Sequence, residues 1–153
     1  MTYIKNPKKI SVKLENCIKD LFNKFNLYPI LNHSRGIDLI FNHKKIEIKS
    51  CFYYRYRNQN SKYLRIGVFK LKTSELNITD FYIFIQINNK TTNINFIHSY
   101  NIYIIDSIEI NKYVNKKAKN LLLDKICISV KELKNIRKVN LIDFLYIFEK
   151  IFK

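Results

Sequence analysis

Asp38, Glu47 and Lys49 lie in one short apolar stretch, Gly36-Ile37-Asp38-Leu39-Ile40-Phe41-Asn42-His43-Lys44-Lys45-Ile46-Glu47-Ile48-Lys49, whose pattern sets two carboxylates and an amine against each other. Ile37, Leu39 and Phe41 alternate with Asp38 and Ile40, and Ile46 and Ile48 alternate with Glu47 and Lys49, the period of two expected of strands. Asn42 to Lys45 is the expected turn. Side chains two apart on a strand share a face, so Glu47 and Lys49 point the same way, and hairpin pairing brings Asp38 beside them. Charges that converge in this way need partners or a metal. Two carboxylates are hard oxygen donors of the kind that hold Mg²⁺ together with waters and substrate phosphates, and Mn²⁺ is expected to substitute. A charged Lys49 cannot ligate. Its expected work is to orient or deprotonate an attacking water, or to offset charge on a phosphorus centre in the transition state. The competing expectation is an exposed, solvated hairpin.

At these residues the chain resembles the PD-(D/E)XK nuclease superfamily, in which an Asp on one strand is followed by Glu-x-Lys on the next. Glu47-Ile48-Lys49 fits that pattern, nine residues after Asp38. Ile37 stands where the pattern has proline, but many members carry a Gly-x-Asp form, as Gly36-Ile37-Asp38 does. The resemblance implies a restriction endonuclease-like α/β (α+β) domain, with a central mixed β-sheet flanked by helices and the site on its central hairpin. It also implies metal-dependent hydrolysis of phosphodiester bonds in duplex or branched DNA. Asp38, Glu47 and the carbonyl of Ile48 would hold Mg²⁺, and Lys49 would help a water attack in line. A first-helix acid often completes such sites, which makes Glu15 a candidate catalytic and metal-binding residue. The plainer expectation for Glu15 is a surface pair with Lys19 four positions on. A strand like Gly67 to Leu71, then a spacer, then a strand opening Thr79-Asp80-Phe81-Tyr82, looks like the layout of small homing endonucleases and archaeal Holliday junction resolvases. The similarity covers about residues 9 to 105.

Net charge points to the same class of partner. Asn, Lys, Ile, Tyr and Phe are abundant and Ala118 is the only alanine, as expected of an AT-rich genome. That bias enriches Glu as well, yet Asp and Glu total 12 against 28 Lys and Arg, a net charge of +16. Such an excess calls for a polyanion, DNA first and a membrane surface second. Residues 1 to 65 carry 14 basic and 4 acidic side chains, so the excess surrounds the hairpin. Between Glu47 and Glu75 there is no carboxylate, and the segment Cys51 to Tyr63 interleaves basic and aromatic residues. Arg55, Arg57, Lys62 and Arg65 there are candidate phosphate contacts, with tyrosines stacking beside them. Ser34 and Arg35, before Gly36, are candidate DNA contacts too, since a glycine permits positive φ or close approach of a phosphate backbone. Two other readings stay open: a DNA-binding module without catalysis, and an RNA-binding or RNA-processing protein.

The elements that must position these groups follow from punctuation and periodicity. A chain of 153 residues with 47% hydrophobic residues is expected to form a single domain, 1 to 153. Asn6-Pro7 opens a helix to about Asn26, with Ile10, Leu14, Cys17, Ile18, Leu21, Phe22 and Phe25 as its apolar stripe. Leu27 to Leu31 reads as a short strand, Leu64 to Leu71 as another, and Thr73 to Ile78 as one helical turn or loop. Asp80 to Ile87 reads as a central strand buried on both faces. Asn93 to His98 and Ile102 to Ile105 read as a hairpin at the sheet edge. The C-terminal third, about 106 to 153, reads as helical, because Asp106, Ser129 and Asn140 each stand three positions before an acid, as helix caps do. The apolar face Leu141, Phe144, Leu145, Phe148, Ile151 and Phe152 suits core docking, or a homodimer or higher homo-oligomer. Cys17, Cys51 and Cys127 lack any CxxC spacing, which argues against zinc and a disulfide framework. His33, His43 and His98 read as surface or turn residues. The polar, basic start and the short apolar runs lead to the expectation of a cytoplasmic protein without membrane contact.

Overall fold

The computed structural model describes residues 7–52, 68–87, 101–117 and 125–151. Helix α1, Pro7–Lys24, opens on a proline whose fixed φ suits the first helical position. Leu14, Ile18, Leu21 and Phe22, three or four apart, are all buried, with Cys17 and Phe25 packed at the margin. Asn26 ends the helix in the left-handed region, φ 58, while its amide bonds to Asn23 and that of Leu27 bonds to Phe22. This is a Schellman cap, with Leu27 and Phe22 buried in the same core.

Two short strands and a long one follow: β1, Ile30–Leu31; β2, Leu39–Phe41; and β3, Lys44–Phe52. The β2–β3 turn is tighter than the sequence suggests. Only Asn42 and His43 form it, both at positive φ (48 and 62), as a type I′ turn requires. Lys44 and Lys45 already pair with Phe41 and Ile40. After β4, Val68–Lys72, a 3₁₀ turn spans Thr73–Glu75, and β5 runs Phe81–Ile87. Then come β6, Asn101–Asp106; α2, Ser107–Lys117; β7, Lys125–Ser129; α3, Val130–Leu133; β8, Val139–Asn140; and α4, Leu141–Ile151.

The main sheet is mixed and flanked by helices, in the order β1-β2-β3-β5-β6-β8. All its pairs are antiparallel except β3 with β5. Strand β5 is central, and its alternation feeds two cores. Ile83 and Ile85 pack with Leu14, Ile18 and Phe22 of α1 and with Leu141 and Leu145 of α4. Tyr82 and Phe84 face the other way, toward Ile110 and Val114 of α2 and a separate antiparallel ribbon of β4 and β7. Phe69 of the ribbon meets Phe84 edge-on, ring centroids 4.7 Å apart. Truncating Phe84 or Phe22 to alanine is expected to cost about 3–5 kcal/mol.

The three helix starts of the C-terminal third stand where the caps suggest. Asp106 Oδ1 accepts from the Ile108 amide at 2.7 Å, Asn140 Oδ1 from Ile142 at 2.9 Å, and Ser129 and Glu132 form a full capping box. Strands β7 and β8 also lie in this third; both are short and flanked by caps, which conceals them in the sequence. Strand β6 is not at an edge, because β8 pairs with it at Tyr103 and Ile104. The Asn93 to His98 strand, Gly67 and the basic segment from Tyr53 to Arg65 lie outside the described residues. Among the described residues, no helix is long and apolar enough to cross a membrane.

Candidate active site

The register of the hairpin decides which charges meet. Leu39 pairs with Ile46, and the Asp38 amide donates to the Ile46 carbonyl at 2.8 Å, so Asp38 stands across from Glu47 just beyond the end of β2. Leu39 and Ile46 turn into the core beneath α1; by alternation Asp38, Glu47 and Lys49 turn to the opposite face. The start of β3 is held by β5: the Lys45 carbonyl accepts from Thr79 Oγ1 at 2.8 Å and from the Asp80 amide at 2.9 Å, and the Lys45 amide donates to Asp80 Oδ2. Thr79 and Asp80 thereby fix the height at which Glu47 and Lys49 stand, a role not foreseen from the sequence.

Asp38, Glu47 and Lys49 come together. Lys49 Nζ donates to Glu47 Oε1 at 2.5 Å, and the Ile48 amide donates to Asp38 Oδ2 at 2.7 Å. A strand residue's N–H and C=O point to the same edge, so the Ile48 carbonyl faces the Asp38 side as well. Glu47 is only 7% exposed. Burial pushes its carboxyl above the ordinary range and Asp38 adds to this, against the bond from Lys49. Asp38 is raised by burial, against the Ile48 bond, with Glu15 adding repulsion. Glu15, on α1, is raised by burial too and interacts with both acids. It does not pair with Lys19; its partner is the exposed His33, Nδ1 to Oε2 3.9 Å.

Glu75 is the residue that sequence reasoning missed. It is 7% exposed and lies against Arg35 (3.7 Å), Lys72 (3.8 Å) and Lys49 (4.0 Å). Gly36 explains how it fits. At φ +73 this glycine is in the left-handed region, and a Cβ there would sit 3.3 Å from the Cβ of Glu75. The close approach is therefore to the Glu75 side chain. The available signal was the scarcity of acids: Glu75 is the first carboxylate after Glu47. His33, expected as a surface or turn residue, is exposed and lies 3.9 Å from Glu15.

The DNA-contact candidates divide. Arg35 donates to Ser74 Oγ at 2.6 Å and leans on Glu75, so it ties the Gly36 loop to the 3₁₀ turn while its side chain remains largely exposed. Ser34 is occupied locally, its amide and hydroxyl both bonded to Asn32 Oδ1. Arg55, Arg57, Lys62 and Arg65 lie outside the described residues.

The groups nearby narrow the chemistry. Burial, with Glu47 and Glu75 adding to it, pushes the Tyr82 phenol up, and burial pushes the Cys51 thiol up to about 12, so neither is an anionic nucleophile at neutral pH. Among the described residues no three acids, histidines or cysteines form a ready-made metal cage. Mg²⁺ needs no such cage, because it typically takes one or two carboxylates and keeps its waters. Asp38, Glu47 and the Ile48 carbonyl are hard donors on one side of β3. Burial first, and the neighbouring acids second, push the two carboxyls toward the neutral form, and as hard oxygen donors the residues present fit such an ion. No family model matches the chain, and no curated protein matches it.

Proposed function

We propose that the chain is a metal-dependent endodeoxyribonuclease of the restriction endonuclease-like, PD-(D/E)XK type, hydrolysing phosphodiester bonds of duplex or branched DNA. The observation that carries this reading is the meeting of Asp38, Glu47 and Lys49 on one face of a hairpin, joined by the Lys49–Glu47 pair and the Ile48–Asp38 bond. A helix packed on a mixed sheet, with that hairpin beside the parallel β3–β5 pair, supports it further. The net charge of +16 supports DNA as the substrate.

In this reading Asp38, Glu47 and the Ile48 carbonyl hold Mg²⁺, or Mn²⁺ in its place. When bound, such an ion would supply charge neutralisation for a phosphate and a more acidic water. Lys49 would orient or deprotonate an attacking water, or offset the charge that develops on phosphorus. Glu15 supports the acid pair from α1. Thr79 and Asp80 keep β3 in register, and Tyr82, buried in register with Glu47, stays a neutral phenol. A cytoplasmic location belongs to the same reading.

The deciding experiment is cleavage of a panel of labelled duplexes, junctions, single strands and RNA with and without Mg²⁺, followed by product mapping. Mg²⁺-dependent cuts in DNA that vanish in Asp38→Ala and Glu47→Ala are the expected result. DNA binding without cuts under all conditions would leave a non-catalytic DNA-binding module. Cuts confined to RNA would replace the substrate.

A further inference from the structure

The β4–β7 ribbon presents an outer face that the chemistry above does not use. Phe69, Leu71, Ile126 and Ile128 are buried against the sheet, while Lys70, Lys72, Lys125 and Cys127 are exposed on the other side. The register sets Lys70 opposite Cys127 and Lys72 opposite Lys125. Like charges directly across a ladder weaken it, yet neither strand carries a carboxylate. Lys72 reaches Glu75, but among the described residues neither Lys70 nor Lys125 has an acidic partner. Among the described residues the ribbon thus keeps Lys70 and Lys125 without an acid, and Lys125 faces Lys72 across the ladder.

The ribbon also leads to the site. Glu75 touches Lys72 with one carboxylate oxygen, at 3.8 Å, and Lys49 with the other, at 4.0 Å. One buried acid therefore links the end of β4 to the amine beside Glu47. Among the described residues the outer face carries no aromatic side chain: those on it are Val68, Lys70 and Lys72 on β4 and Lys125, Cys127 and Ser129 on β7. Single strands are gripped by stacking bases on aromatic rings, whereas a duplex offers regularly spaced phosphates to lysines.

We propose that this face is the track along which the phosphate backbone of duplex DNA runs toward Asp38, Glu47 and Lys49; the choice of DNA rests on the nuclease reading. Contacts of this kind fix position without reading sequence, so the track serves every duplex alike. Lys13 and Lys24 on α1, packed on the opposite side of the sheet, mark the competing face.

The test is fluorescence anisotropy of a labelled duplex over a salt series in EDTA, where nothing is cut. Lys70→Gln/Lys125→Gln alters only exposed positions, so its melting temperature should match the parent. The slope of log K against log salt should fall in magnitude by about 2, roughly 0.9 per lost contact, on duplexes of any sequence. Lys13→Gln/Lys24→Gln should keep the parental slope. An unchanged slope in the ribbon variant, or a loss confined to the α1 variant, overturns the track. Tighter binding of RNA or of a single strand with the same slope loss overturns duplex DNA as its occupant. Failure of the nuclease reading looks different: a chain that never cuts but loses slope in the ribbon variant keeps the track and lacks the chemistry.

Discussion

Two carboxylate sites in this molecule handle charge in opposite ways. Glu132 accepts from Lys117 Nζ at 2.7 Å and from the Ser129 amide at 2.6 Å, and it bonds the Tyr113 phenol as well. Burial works against its charge, but these donors prevail and hold its carboxyl down at about 2. At the hairpin Glu15, Asp38 and Glu47 crowd together with one lysine, one amide and one exposed histidine, and burial pushes all three up. The first site is neutralised by its own chain, and it pins α2 to β7 and α3. The second is buried with fewer donors than acids, and in the proposed function a cation would supply the balance. Three carboxyls raised chiefly by burial, with one another's charge adding, meet at the hairpin from two elements, α1 and the β2–β3 strands, a pattern that marks candidate functional sites.

The widest separation between the two sites should be in cleavage. Asp38→Ala, Glu47→Ala and Lys49→Ala are each expected to lower the single-turnover rate by about 10²-fold or more, with DNA affinity in EDTA largely kept. Glu132→Gln should leave the rate at the parental level at a temperature where the variant is folded. Retained cleavage in Asp38→Ala or Glu47→Ala would sink the metal-site assignment.

Stability should sort them the other way. Ser129→Ala removes one half of the capping box and is expected to cost about 1 kcal/mol, read from urea unfolding. Asp38→Asn, which relieves a crowded buried charge, should not destabilise the metal-free protein at neutral pH. A loss at Asp38 as large as that at Ser129 would mean that the hairpin acids are structural.

The pH dependence carries opposite signs. Glu132 has a lowered folded value, so its contribution is present above the ordinary 4.5 and is lost as pH falls toward 2. Asp38 and Glu47 have raised folded values, so the native state binds protons that the unfolded chain has released. Their contribution is present below the ordinary 3.8 and 4.5 and is lost as pH rises through the raised values. Melting curves across this range should show Glu132→Gln flattening the acid limb and Asp38→Asn/Glu47→Gln removing a decline on the other side. Mg²⁺ should restore melting temperature on that side in the parent and fail to do so in the double variant.

Much of this was legible in the sequence where one residue's type decides a local structure. Period-two alternation marked the hairpin, continuous apolarity marked β5, and Asp106, Ser129 and Asn140 marked three helix starts. Legibility ended where distant segments decide. Asn42 and His43 give no strong turn signal because neither is glycine, so the tight I′ turn was hidden. Strand β8 is two residues long and owes its existence to pairing with β6. Glu75 lies 28 positions from Glu47 and enters the cluster only because β4 and the 3₁₀ turn pass over Gly36. The positive φ at Gly36 was anticipated, but the group that approaches it was not.

The smallest expected effect is at Glu15, and it sharpens the border of the site. Its contact with His33 is long, at 3.9 Å, and the histidine is exposed, so this pair contributes well under 1 kcal/mol. What marks Glu15 is that burial first, and the charge of Glu47 in addition, make its charge unfavourable, while its own charge raises Asp38. Glu15→Gln keeps the shape, removes that repulsion, and should leave the melting temperature level or slightly raised. If Glu15 supports the acid pair, the same variant should slow single-turnover cleavage several-fold and raise the Mg²⁺ concentration needed for half-maximal rate. A parental rate and a parental Mg²⁺ requirement would return Glu15 to the surface of α1, while a lowered melting temperature would make it part of the scaffold.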